Sequence, residues 1–214
     1  MKEENIFNSG SKKSINYFMQ TKNWWGPLIF ILIISVIGVG MIGYQTYYDA
    51  PPFVGFQNQK GENLILMEHL EQGQEVFHKY ALMEYGSFFG DGAQRGPDFT
   101  AESLHQIALL IQKYRLKEQE SLLGRKLTDL EVKIIADNVK EEIKANGYDP
   151  EKETIILTDA QNFALEGLRT YYENKFIDKA SDDTFPQKGY ISNRADVRNL
   201  SDFFFWGEIG RAHV

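Results

Sequence analysis

Few residues in this chain are of the types that do chemistry, and their spacing limits what they can do. The four histidines are His69, His78, His105 and His213. None stands at the HxxxH or HxxE spacing that puts metal ligands on one helix face. They read as surface or packing residues. The acidic pairs Glu141-Glu142 and Asp182-Asp183 read as solvated charge. Tyr171-Tyr172 and the run Phe203 to Phe205 read as core or interface rather than a cofactor box. There is no cysteine, which removes disulfides, thiolate metal sites, Cys nucleophiles and the CxxCH attachment of a c-type haem. No nucleophile, base and orienting group can be assembled, so the chain reads as a non-catalytic module. One stretch stands apart. "YGSFFGDGAQRGPDFTAESLH", residues 85–105, includes Gly86, Gly90, Gly92 and Gly96, an Asp-Gly pair and a Gly-Pro. Glycine at this density lets backbone come close to something.

The elements that must position that loop begin in a membrane. Gly26 to Tyr44 carries no charge and is close to the roughly 20 residues that cross a bilayer core. Trp24 and Trp25 mark one interface, and Tyr44, Tyr47 and Tyr48 the other. Lys12, Lys13 and Lys22 precede the span, and Asp49 and a long acidic segment follow it, which predicts a cytoplasmic N-terminus and an outer domain. A cleaved signal peptide is the competing reading. The apolar run is too long for one, and no small-residue cleavage site precedes "YYDAPP". The formal net charge of −7 argues against nucleic acid as a partner.

The expected organisation is a cytoplasmic N-terminus over 1–23, a transmembrane helix over 24–48 and an extracytoplasmic domain over 49–198. The domain is expected to be mainly α, with three or four helices and one short β excursion. Periodicity predicts a helix from about Glu68 to Met83 that buries Leu70, Val76, Phe77 and Tyr80. Thr100 is the expected cap of the next helix, which carries Leu104, Ile107, Ala108, Ile111 and Tyr114. Thr128-x-x-Glu131 and Thr158-x-x-Gln161 are capping-box patterns. The second leads a helix with Phe163, Ala164, Leu168, Tyr171, Tyr172 and Phe176 along it. "QKGENLILM" predicts a turn and a short strand or extended run, and "NGYDPEKETIIL" a turn or small hairpin.

Residues 194–206, "RADVRNLSDFFFW", look like an approach to a membrane, with two arginines before an aromatic cluster. Residues 199–208 are therefore expected to start a second transmembrane helix. The closing "IGRAHV", residues 209–214, is what a common sequencing-adapter stretch would encode. It is expected to be read-through, which leaves Arg211 and His213 without functional meaning.

Residues 73–105, "GQEVFHKYALMEYGSFFGDGAQRGPDFTAESLH", resemble the N-terminal region of the single-chain, quinol-dependent nitric oxide reductases. The pattern of that family is roughly GQxVFxxxGLMxYGSxxGHGAYxGPDFTAxxLH. "NGYDPEKETIILTDAQNFALEGLRTYY", "KGYI" and "RADVRNLSDFFFW" follow it in order, so the resemblance covers roughly residues 45 to 206. It implies a cytochrome c-like fold that has lost its haem, on the outer face of a bacterial cytoplasmic (inner) membrane. It also implies a longer enzyme whose later helices ligate haem b, a high-spin haem b3 and a non-haem iron. That enzyme reduces two NO to N2O with electrons from quinol. The fragment itself would bind none of these cofactors and would not be catalytic. Its partners would be membrane lipid, quinol and the missing C-terminal helical bundle.

The resemblance further implies that the glycine loop helps bind calcium, through the Gly92 carbonyl and Gln94. Asp91 stands where the family commonly has His, and Gln94 where it has Tyr. A glutamine amide oxygen is a reasonable hard ligand. A loop that only packs on the bundle is the plainer alternative. A single-span anchored sensor or binding module, or a structural component of a respiratory complex, would share the same anchor and helical domain.

Overall fold

The computed structural model of the chain describes residues 24–48, 53–93, 95–178 and 186–210. The chain divides into two compact units, Met1–Ala50 and Pro51–Val214. In the first, α1 runs Trp25–Tyr48, a little beyond the uncharged run at both ends. Pro27 sits in its first turn, where a missing N–H leaves no bond unmade. Its most apolar window of 18 residues has a mean hydropathy of 2.4, and none of that window is buried in protein.

The second unit is mainly helical. Helix α2 (Met67–Lys79) buries Leu70, Gly73, Val76 and Phe77, one face at helical spacing. It stops short of Met83 because Ala81 takes a left-handed φ of 48°, and a 3-10 turn over Leu82–Glu84 follows. Tyr80 is only half-buried. Helix α3 (Phe99–Leu123) ends at Gly124, whose φ of 63° closes a left-handed cap. Helices α4 (Asp129–Lys144) and α5 (Asp159–Glu173) both start on the expected capping boxes, Thr128/Glu131 and Thr158/Gln161. A π-helical turn over Asn174–Asp178 extends α5 and buries Phe176. Helix α6 (Arg194–Ile209) is capped by the Asn193 side chain, which accepts from Ala195 N at 3.0 Å.

Among the described residues five helices therefore build the domain, against the three or four expected, and the β structure also exceeds the single excursion. Strands β1 (Gly55–Asn58), β2 (Asn63–Ile65), β5 (Tyr148–Asp149) and β6 (Thr154–Leu157) form one sheet in the order β2-β1-β6-β5. The β5–β6 hairpin matches the reading of "NGYDPEKETIIL". The parallel β1–β6 pairing, Gly55 to Thr154 through Asn58 to Leu157, joins segments about a hundred residues apart.

The core lies where α6 meets α2, α3, α5 and the sheet. Gly73 is needed at the α2–α6 crossing, since a Cβ there would overlap the Asn199 carbonyl and Phe203. Helices α3 and α5 run antiparallel: Ser103 Oγ lies 2.7 Å from the Tyr172 hydroxyl, and Tyr114 meets Phe163 at 5.6 Å. Phe163 is 40% exposed rather than core. A buried ion pair in the core is bidentate. Arg169 donates through Nε and Nη2 to Asp202 at 2.6 and 2.7 Å, and through Nη2 to the Leu64 carbonyl at 3.0 Å.

The expected membrane approach at 199–208 needs correction. Phe203, Phe204 and Phe205 are at most 4% exposed, and their neighbours are protein. Phe204 stacks on Phe99 at 5.2 Å, Phe203 on Phe88 at 4.8 Å, and Phe205 meets Phe56 edge-on at 5.7 Å. The aromatic run is the centre of the folded domain. Ile209 is buried as well. Arg211 and His213 of "IGRAHV" lie outside the described residues, as does Gln94.

Candidate functional site

The glycine stretch folds into a small hairpin, β3 (Ser87–Phe88) and β4 (Asp91–Gly92), with Ser87 opposite Gly92 and Phe88 opposite Asp91. Its two-residue tip is Phe89-Gly90, with φ of 56° and 79°. Two positive-φ residues in a row are the mark of a turn whose twist suits a tight hairpin. Glycine takes such a φ freely, whereas phenylalanine does so under strain. Gly92 has φ 135° and lies against the Gly86 carbonyl, so a side chain there would meet backbone. The close approach that the glycines permit is thus to the loop's own first strand. The flanks are tied by Ala93 N to Met83 O at 2.9 Å and Ser87 N to Pro97 O at 3.1 Å.

Asp98 organises the loop. One carboxylate oxygen accepts from Thr100 N and Ala101 N at 3.0 Å and from the Thr100 hydroxyl, capping α3. The other accepts from Ser87 Oγ at 2.8 Å and Gly90 N at 2.9 Å, which fastens the hairpin to the same helix start. Burial pushes its carboxyl upward, but the bonds from Thr100, Ala101, Ser87 and Gly90 outweigh this and hold it below the ordinary value of 3.8. Thr100, the expected cap, sits inside the helix instead. Its hydroxyl passes a bond from Phe89 N, at 3.2 Å, on to Asp98. Sequence reasoning missed Asp98, although an Asp directly after Gly-Pro and before an apolar-periodic run is an N-cap signal.

The hairpin presents a hydrophobic face. Phe88 turns inward to Phe203 and Phe77, while Phe89, 4.3 Å from Phe88, stays 40% exposed. Two open grooves flank it. One of about 670 Å³ is lined by Phe89, Leu104, Ala108 and Ile143, with Lys140 and Lys144 on its rim. The other, of about 470 Å³, runs past Phe53, Met83, Phe88 and Trp206. Lining of this kind suits packing against another apolar surface.

The polar groups nearby are engaged structurally. Glu102 accepts from the Tyr171 hydroxyl and from Lys175 Nζ. Burial first, then Glu102, raises the Tyr171 phenol well above its ordinary value. Glu142 takes both forks of Arg115 at 3.0 and 2.7 Å, and Thr158 Oγ1 at 2.6 Å. Asp202 has His69 Nδ1 3.7 Å away in addition to Arg169; burial raises its carboxyl and the arginine opposes the shift.

Among the described residues, no group of three or more His, Cys, Asp or Glu side chains is arranged to hold a metal ion. Gly92 is exposed on β4, and the oxygens of Asp98 are already taken by the loop. A haem does not fit the domain either. No cysteine can form thioethers; His78 and His105 are exposed, and half-buried His69 faces Asp202. The interior is filled by the closely packed rings of Phe77, Phe99, Phe203, Phe204 and Tyr172.

Fold and site together define a mainly helical domain with a small mixed sheet and no cysteine to attach a c-type haem. A comparison with curated proteins found no match. Residues 55–210 match the family model of the NorB cytochrome c-like domain of nitric oxide reductase, and the chain belongs to that family. The match begins at β1 and ends one residue after α6, so it takes in the whole described domain.

Proposed function

We propose that this chain is the anchored outer part of a membrane nitric oxide reductase that takes its electrons from quinol. The observation that carries the reading is the family match over residues 55–210 in a chain with no cysteine. A domain that cannot hold a c-type haem cannot pass electrons inward from a soluble cytochrome, so a donor dissolved in the membrane is the simpler supply. Haem b, haem b3 and a non-haem iron, held by a helical bundle outside residues 1–214, would supply the reduction of two NO to N2O and water. This chain's residues would do other work. Helix α1 anchors the domain with its N-terminus in the cytoplasm, as the preceding lysines favour. Asp98 and the glycine turn hold Phe89 and its flanking grooves rigid as a contact surface for that bundle. The calcium contact through Gly92 and Gln94 belongs to the same reading.

The test compares electron donors on the complete protein, purified with its cofactors. Reduced quinol analogue supports NO loss at an electrode, and reduced soluble cytochrome c supports none. A protein that consumes no NO with any quinol returns the chain to an anchored sensor or binding module.

A further inference from the structure

The α3–α4 turn lies at the opposite end of α3 from the hairpin and has no part in the glycine site. Helix α3 passes Phe163 of α5 at Tyr114 and continues to Leu123. Around this turn Leu122, Leu123, Leu130 and Ile134 are 74, 49, 69 and 51% exposed. Four such side chains on one turn cost solvation unless something covers them. Charge narrows the choice. Residues 113–134 carry six basic and four acidic side chains, although the domain around them is acidic. Arg125 is spent on Glu131, and Arg115 on Glu118 and Glu142. Lys113, Lys117, Lys126 and Lys133 are all exposed and make no ion pair among the described residues. The turn is thus apolar and basic on a domain of the opposite sign.

We propose that the α3–α4 turn docks on the headgroup layer of an anionic lipid surface. Leucines would enter the boundary between headgroups and acyl chains, while lysines reach the phosphates with their stems along apolar surface. A protein partner is less suited: the most exposed apolar side chains of the turn, Leu122 and Leu130, are aliphatic, and Phe163 beside Leu122 is the less exposed at 40%. The docking rests on α1 being a membrane anchor.

The chain has no cysteine, so a nitroxide can be placed at one site without background. The full chain carrying Leu122→Cys or Leu130→Cys is labelled and reconstituted in phosphatidylglycerol-containing vesicles. Collision with oxygen should exceed collision with a water-soluble nickel chelate. In phosphatidylcholine alone, or with Lys117→Glu and Lys126→Glu together, that preference should fall roughly tenfold. Dominant nickel contact in the anionic vesicles overturns the proposal. So does dipolar broadening between labels, which would place a second copy on the turn. Flotation after an alkaline wash reports the anchor separately. A chain that floats with a water-exposed label sinks the docking alone, and a chain that does not float sinks the anchor and the docking together.

Discussion

Two apolar helices, α1 and α6, look alike as sequence and differ in what surrounds them. Aromatic residues follow basic ones at both, Trp24 and Trp25 after Lys22 at the start of α1 and Phe203 to Phe205 after Arg198 within α6, and both read as meeting a membrane. In α1 the apolar side chains point all round and none is buried by protein, which leaves lipid as the medium that suits them. Helix α6 buries Val197, Leu200 and Phe203 to Phe205 while carrying Arg194, Asp196, Arg198 and Glu208. Its apolar face has four partners of its own: α2, α3, α5 and the sheet. Uniform hydrophobicity marks the anchor, and one-sided hydrophobicity with a buried ion pair marks the core.

Removing a ring from α6 should have the largest effect. Phe204→Ala is expected to lower the unfolding free energy of the domain by about 4 kcal/mol, read by chemical denaturation. Ile33→Ala in α1 should leave that transition within about 0.5 kcal/mol. Equal effects would erase the distinction between the two helices. Next comes Asp202→Asn, which strands the Arg169 guanidinium among Leu64, Glu166 and the core. A loss of about 3 kcal/mol is expected, with little change if the pair is solvated instead.

Asp98→Ala should cost about 2 kcal/mol, because a helix cap and the hairpin tie go together. Its signature is local: amide exchange at Gly90 and Thr100 rises before the rest of the domain opens. The Asp98 carboxyl is held below its ordinary value, so its contribution is present above pH 3.8 and fades as pH falls further. Glu131 gives the smallest effect. The Arg125 guanidinium, then the Thr128 N–H and hydroxyl, lower its carboxyl from 4.5 to about 2. The start of α4 should therefore loosen only between those values as acid is added. Glu131→Gln should flatten that pH dependence in far-ultraviolet circular dichroism.

Local signals carried much of this architecture. The charge-free run marked α1, and the Thr128 and Thr158 boxes placed the starts of α4 and α5 directly. The sheet was less legible, since β1 is Gly-Phe-Gln-Asn, a poor strand on propensity, and exists through pairing with β6 far along the chain. Phe203 to Phe205 were misplaced because an aromatic cluster after arginines has the same appearance at an interface and in a core. At the site, the glycines announced a turn but not its tip, because Phe89 occupies a position where glycine is expected. Asp98 escaped notice because its second function, tying the hairpin, depends on a fold that the local pattern does not contain.

The most direct measurement separates the two helices physically. The chain is reconstituted in vesicles with a protease site placed between Tyr48 and Gly55, cleaved, and washed with alkaline carbonate. Helix α1 should stay with the lipid, while the fragment carrying α6 leaves in the supernatant and refolds as a helical, cooperatively unfolding domain at neutral pH. Retention of that fragment in the washed membrane would contradict this, because α6 would then be held by lipid and not by the protein core.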